Sequence, residues 1–238
     1  MMDKLTPEQR KECVFVFHAA PSDENGTDMK AVCETLLPDY PVIFTYENGG
    51  PMTDQAINDL YNSADVYINL ASNEGFGLGS LEALTVGTPI IVNVTGGMQD
   101  QCGFKKDGVT GQDGKYIEGK YLTAEDYVDL GSNHKGEYKE HGEWVKPVYP
   151  TNRSLQGSPQ TPYIFDDRCS YEDDGEALLG WYNEEPEERE IKGEVGRKWV
   201  LGPDARMTGE YLSSSFIESM EGCFDNWKPR EKYTLEVV

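Results

Sequence analysis

Two carboxylates eight residues apart, Glu74 and Glu82, enclose the glycines Gly75, Gly77 and Gly79 in the run SNEGFGLGSLEALTVGTPIIVNVTGG, Ser72 to Gly97. The chemistry such a run offers is the binding of anions and hydroxyls. A strand ends near Ser72, NEGFGLG turns, and a helix is expected to start around Gly79 or Ser80, so that the unpaired N–H groups of its first turn point back toward Glu74. A helix start carries roughly half a positive charge, which suits a phosphate. The glycines permit a sharp turn and leave no side chain in the way of an anion. Glu82 is expected within the first turn of that helix. There it either complements the helix dipole, worth about 0.3–1 kcal/mol, or accepts hydrogen bonds from two vicinal ribose hydroxyls. Glu74, ahead of the helix, is placed to bind sugar hydroxyls or to stabilise positive charge developing at an anomeric carbon.

Such a loop needs a scaffold, and the chain supplies an alternating one. Between residues 13 and 97, CVFVFHA, PVIFTY, DVYINLA and PIIVNVT read as strands, while TDMKAVCETLL, TDQAINDLYNSA and SLEALTVG read as helices. The apolar runs are too continuous for a half-exposed sheet, so a Rossmann-like parallel sheet with helices on both faces is predicted. In an open sheet of this kind ligands sit at the carboxyl ends of the strands, where the loop after Ser72 falls. Thr53 and Ser80 read as helix N-caps.

Residues 101–161 are rich in Gly, Lys, Tyr and Asp, with LTAEDYVDL the one periodic stretch. Their tyrosines and Trp144 predict a long ordered excursion with a hairpin, since structureless loops of this length are uncommon unless functional. After Pro162 come a strand, PYIFDD, two helices separated at Pro186, a last helix in TGEYLSSSFIESMEGCFDNW, and a tail. The organisation is read as a single domain over 1–238, with its core in 13–100 and 162–225 and an insertion at 101–161. Trp181, Trp199 and Trp227 are expected in the core, Phe76 under its loop, and His18 as a satisfied strand-end residue.

Forty-three acids against 21 bases give a formal charge of −22, which opposes wrapping by a nucleic-acid backbone or docking on an anionic membrane. No run approaches the roughly 18 apolar residues a bilayer span needs, and MMDKLTPEQR lacks a signal-peptide core, so a cytoplasmic location is expected. Five cysteines, Cys13, Cys33, Cys102, Cys169 and Cys223, are odd in number and without metal-ligand or redox spacing, and only three histidines exist. Reduced thiols and no metal site are therefore expected.

From Leu60 to Gly97, LYNSADVYINLASNEGFGLGSLEALTVGTPIIVNVTGG closely resembles the signature of retaining, nucleotide-sugar-dependent glycosyltransferases of the GT-B fold, the group that includes sucrose and glycogen synthases and bacterial polysaccharide enzymes. LYNSADV matches their strand approach, Glu74 and Glu82 match their E-x7-E pair, and ALTVGTPIIV matches the helix and strand that follow. The resemblance implies the C-terminal, donor-binding half of such an enzyme, holding a nucleoside diphosphate sugar with no other cofactor and no obligatory metal. It implies that Glu82 binds the ribose, that the backbone from Gly75 through Phe76 and Gly77 to Leu78 contacts sugar and distal phosphate, that Glu74 faces the transferred sugar, and that Thr95, Gly96 and Gly97 line the adjoining loop. Retention in that family is attributed to front-face attack assisted by the leaving phosphate, so catalysis rests on positioning and electrostatics.

Two departures from the family pattern stand out. An Arg and a Lys normally follow the first strand and neutralise the diphosphate; here the loop HAAPSDENGTDMK places Ser22, Asp23, Glu24 and Asn25 centrally, leaving only Lys30 nearby. Each lost charge-assisted hydrogen bond would forfeit about 1.5–3 kcal/mol. Lys105, Lys106 and above all Arg153, in the polar loop PTNRSLQGS, are the candidate substitutes. The second departure is that the chain begins almost at the first strand of the donor domain, so the acceptor site is expected from a missing N-terminal domain or a partner chain. Two other readings stay open: a non-catalytic nucleotide or sugar-binding module that has lost its cations, and a related nucleotide-sugar epimerase.

Overall fold

The computed structural model describes residues 1–22, 26–46, 52–111, 115–157 and 159–229, apart from the side chains of residues 124, 125 and 129. The acids Asp23 and Glu24 with Asn25, and the tail after Pro229, lie outside the described residues.

In chain order the elements are α1 (Pro7–Arg10), β1 (Phe15–Phe17), α2 (Met29–Leu36), β2 (Val42–Phe44), α3 (Asp54–Ser63), β3 (Tyr67–Asn69), α4 (Leu78–Val86) and β4 (Ile90–Asn93). There follow β5 (Lys105–Lys106), β6 (Val109–Thr110), β7 (Tyr116–Ile117), β8 (Lys120–Tyr121), α5 (Ala124–Leu130), β9 (Val145–Val148), β10 (Asn152–Gln156) and β11 (Ile164–Arg168). The helices α6 (Tyr171–Tyr182), α7 (Pro186–Val200) and α8 (Gly209–Asn226) complete the chain.

The alternation predicted for residues 13–97 is present element by element, and its strands pair in parallel. β1 and β2 form one parallel pair, with Phe15 opposite Val42. β3, β4 and β9 form a separate parallel sheet in that order, with Tyr67 opposite Ile90 and Ile90 opposite Val145. Helix starts follow local chemistry: the side chains of Asp28, Thr53, Ser170 and Thr208 each accept from a backbone N–H in the first turn of α2, α3, α6 and α8. Pro186 opens α7, where its fixed φ and missing N–H cost nothing.

Burial is concentrated around β4, all four of whose residues are buried. Ile90, Val92 and Val94 join Ala83 and Leu84 of α4, Trp144, and Trp199 and Val200 of α7 on one face. Ile91 meets Val148 and Trp181 of α6 on the other, so helices cover both faces as expected. The tight approach of α7 needs glycine: a Cβ at Gly193 would overlap the Gly87 carbonyl, and one at Gly196 would lie 2.6 Å from Cβ of Trp144. Around β1 and β2 the cover is thinner, with Val16 and Ile43 exposed and no buried residue in α2.

Residues 101–161 hold the nested antiparallel ladders β5–β8 and β6–β7, and LTAEDYVDL gives α5. They also contribute β9 to the central sheet, together with Phe104 and Trp144 to its core. β9 is the outermost strand of its sheet and carries Pro147. Trp181 and Trp199 are core, but Trp227 is 71% exposed: it follows α8, none of whose residues is buried, and so its helical spacing reported an apolar stripe rather than a packed one.

Candidate functional site

The loops leaving β3 and β4 lie against each other at the carboxyl end of the central sheet. Gly97 donates its N–H to the Glu74 carbonyl at 3.3 Å. The contact is backbone on backbone. A Cβ at Gly96, which has φ of +49°, would overlap the Glu74 carbonyl oxygen, and one at Gly97 would lie 2.6 Å from Cα of Phe76. From beneath, Nε2 of the buried Gln101 donates to the carbonyls of Phe76 and Gly77 at 2.7 and 3.0 Å. Thus Glu74, Gly75, Phe76, Gly77, Thr95, Gly96 and Gly97, which the sequence sets in two separate stretches, form one structural unit.

The helix begins earlier than the sequence suggested. Gly77 is the N-cap of α4 in the left-handed region, at φ +85° and ψ +62°, a conformation only glycine adopts cheaply. No side chain caps this start, and Ser80, expected to do so, is already inside the helix and buried. Starting at Leu78 also moves Glu82 into the second turn, beyond the reach of the dipole reading, which fades after the first turn.

Glu82 is exposed, and its Oε2 accepts from the Tyr61 hydroxyl at 2.9 Å. Tyr61 in turn meets Tyr67 edge to face, with ring centroids 5.7 Å apart. Burial, then the bond to Glu82, pushes the Tyr61 phenol well above its ordinary pKa, so it stays a donor. Burial likewise raises Tyr67, followed by the charges of Glu82 and Glu74. The Glu74 carboxylate turns back on its own loop and accepts from the Phe76 N–H at 3.4 Å. Around Gly75 a side chain would meet nothing within 4 Å; Leu78 is 66% exposed and Phe76 36%.

A second polar node ties these loops to β11. Asp167, 3% exposed, accepts from the Thr95 hydroxyl at 2.8 Å, donates its N–H to the Ser72 carbonyl at 2.8 Å, and receives Nδ2 of Asn93 on its own carbonyl at 2.6 Å. Arg153 reaches Asp167 through Nε at 3.1 Å, stacks over Phe165, and donates through NH1 to Nε2 of His134 at 3.1 Å. Arg153 therefore stands beside the Thr95 loop, but with its charge matched by a buried carboxylate. Lys105 pairs with Glu118 and Lys106 with Asp126. Lys30 lines a cleft between α2 and β2 with Cys33, Glu34 and Phe44. His18, at the end of β1, is satisfied as expected, by Thr45 Oγ1 at 2.7 Å.

Sequence reasoning missed Tyr61 and Tyr67 as neighbours of Glu82, and Gln101, Asn93 and Asp167 as supports of the loops. The acid inside the strand stretch PYIFDD was the one available signal for Asp167. Among the described residues no group of three or more His, Cys, Asp or Glu is disposed to hold a metal ion, and no helix is long and apolar enough to cross a membrane.

Two histidines outside the loops give a pH dependence. Burial lowers the pKa of His141 from its ordinary 6.5, outweighing the bond to the Gly142 carbonyl, and burial followed by Arg153 lowers that of His134. A group whose folded pKa is depressed in this way disfavours its own protonation, so stability present above pH 6.5 falls as pH drops below it. In urea unfolding from pH 7.5 to about 5.5, His141→Gln should lose less stability than the unsubstituted chain. Parallel pH profiles for the two would remove His141 from this account.

The architecture defines a fold class first: a mixed α/β fold with parallel sheets and helices. Sucrose-phosphate synthase from Thermosynechococcus elongatus superposes with a TM-score of 0.52 at 17% identity, over 89% of this chain and 38% of that one. Residues 47–117 match the family model described as Glycosyl transferases group 1. The D-inositol 3-phosphate glycosyltransferase of Corynebacterium urealyticum is 38% identical over 65 residues, 26% of this chain and 15% of that protein. The chain thus spans well under half the length of either relative.

Proposed function

We propose that this chain binds a nucleoside diphosphate sugar as the donor-binding domain of a retaining glycosyltransferase. The observation that carries the reading is the interlocked pair of loops, in which Gly96 and Gly97 leave room for the Glu74–Phe76 backbone and the uncapped start of α4 opens beside them. On this reading the α4 start and the Gly75–Leu78 backbone bind sugar and phosphate, Glu82 binds the ribose, and Glu74 faces the transferred sugar. Thr95 closes the adjoining loop, Lys30 and Arg153 supply what cationic field there is, and no obligatory metal takes part. The acceptor site belongs to an N-terminal GT-B domain or a partner chain, and a cytoplasmic location is part of the same proposal.

A second reading, a nucleotide or sugar-binding module without transfer activity, is favoured by one finding. Lys105, Lys106 and Arg153 are each engaged by a carboxylate, so a diphosphate would have to draw more on backbone N–H groups. Calorimetric titration with uridine, guanosine and adenosine diphosphate sugars tests the shared claim. Binding at millimolar concentration or tighter is expected, and Glu82→Ala should weaken it about tenfold or more. Failure of every donor to bind, or an unchanged Glu82→Ala, removes the site assignment. Glu74→Gln separates the two readings: in the transferase it lowers transfer of labelled sugar, measured with the acceptor half present, while leaving donor binding near that of the unsubstituted chain.

A further inference from the structure

We infer that Tyr61 is a positioning residue for Glu82, and that the pair makes the site selective for a nucleotide whose sugar carries a cis-diol over its 2′-deoxy counterpart. The inference rests on the donor-site reading above.

Glu82 stands exposed in the second turn of α4, where a long side chain left to itself would sample several rotamers and lose that freedom on binding a ligand. The Tyr61 hydroxyl, 2.9 Å from Oε2, removes that freedom in advance. The phenol is itself held. Its ring meets Tyr67 edge to face and packs against the core cluster that contains Ala83 and Leu84. The Tyr61 carbonyl also accepts from the Thr88 hydroxyl at 2.8 Å, fixing the end of α3 to the turn after α4.

Gly79 completes the seat. A Cβ there would lie 3.2 Å from the Tyr61 hydroxyl oxygen and would overlap that of Tyr67, so both phenols rest against the first turn of α4, one turn before Glu82. The Tyr61 hydroxyl occupies one acceptor site of Oε2 and restrains the carboxylate, leaving Oε1 and the second lone pair of Oε2 to two hydroxyls on adjacent carbons. Two hydroxyls held at a fixed spacing depend on the carboxylate's orientation more than one does. A 2′-deoxyribose brings a single hydroxyl and tolerates a rotated carboxylate, so loss of the Tyr61 hydroxyl should act mainly on the diol.

The test is calorimetric titration of the whole chain with UDP, GDP and ADP and with their 2′-deoxy forms, for the unsubstituted chain, Tyr61→Phe and Glu82→Gln. Tyr61→Phe removes one oxygen, and a thermal unfolding curve establishes that it folds. Expected is ribonucleotide binding weakened about five- to tenfold and 2′-deoxynucleotide binding changed by less than about twofold. Equal weakening of both would mean that the pair only ties α3 to α4, and no change in either would mean that it is idle; each result overturns the inference. If Glu82→Gln weakens ribonucleotide binding while Tyr61→Phe does not, the inference alone falls. If Glu82→Gln is without effect, or no probe binds, the donor-site reading falls and takes the inference with it.

Discussion

Trp144→Ala is expected to lower the free energy of unfolding by about 3–5 kcal/mol, the range for truncating a buried aromatic. Trp144 is 1% exposed and stacks on Trp199 with ring centroids 4.6 Å apart. The cavity has little to fill it, because the residues pressed against the indole include Gly103 and Gly196, which have no side chain to move in. The effect should also reach the candidate site. Nε1 of Trp144 donates to the Gln101 carbonyl at 3.0 Å, and the Gln101 side chain holds the Phe76 and Gly77 carbonyls. Urea unfolding combined with amide hydrogen exchange at residues 77–81 measures both parts. Trp144→Phe, which keeps an aromatic side chain but loses the donor and part of the indole's volume, should cost less than Trp144→Ala, about 1–3 kcal/mol. A Trp144→Ala chain within about 1 kcal/mol of the unsubstituted one would contradict the core described for Trp144.

Gly97→Ala is expected to cost about 1–3 kcal/mol of stability and to reduce donor affinity more than roughly tenfold. The added methyl would meet Cα of Phe76 at 2.6 Å and the Gly75 carbonyl, and main chain, unlike the end of a side chain, has no rotamer by which to withdraw. The two loops must part, breaking the Gly97 to Glu74 hydrogen bond and moving Glu74 away from the α4 start. Gly75→Ala is the matched control. Nothing lies within 4 Å of a Cβ at Gly75, so that substitution should leave stability nearly unchanged. Thermal unfolding of both variants and donor titration of Gly97→Ala against the unsubstituted chain decide the matter, and a Gly97→Ala chain as stable as Gly75→Ala would show that the loops are not interlocked.

The parts of the fold written in the sequence are those where periodicity and end signals agree. PIIVNVT is apolar on both faces and becomes the fully buried β4, and Thr53 caps α3 where a Thr before a helical period should. β9 escaped notice because Lys146 and Pro147 interrupt its four residues, leaving too short an apolar pattern to read. The site divides the same way. Glu74, Glu82 and the glycines advertise themselves by spacing, whereas Gln101 and Asp167 act through contacts 24 and 72 residues distant in the chain, which no local pattern encodes. Trp227 and Ser80 misled for a related reason: residue type predicts what a position suits, and packing or a glycine one turn earlier decides what it gets.

Pro147 has a consequence for how this chain behaves among its own copies. In the β4–β9 ladder the Trp144 and Val148 carbonyls accept from Ile90 and Val94, so the alternate residues Val145 and Pro147 face the open side of β9. Val145 spends its N–H on the Gly142 carbonyl at 3.5 Å, and proline has none to give. That border therefore shows carbonyls without a matching donor, and an extended segment approaching it could form at most half a ladder. An outermost strand that would otherwise be a template for aggregation is closed to it by the spent N–H of Val145 and the imino acid after Lys146, and Pro147→Val should restore one donor to that border.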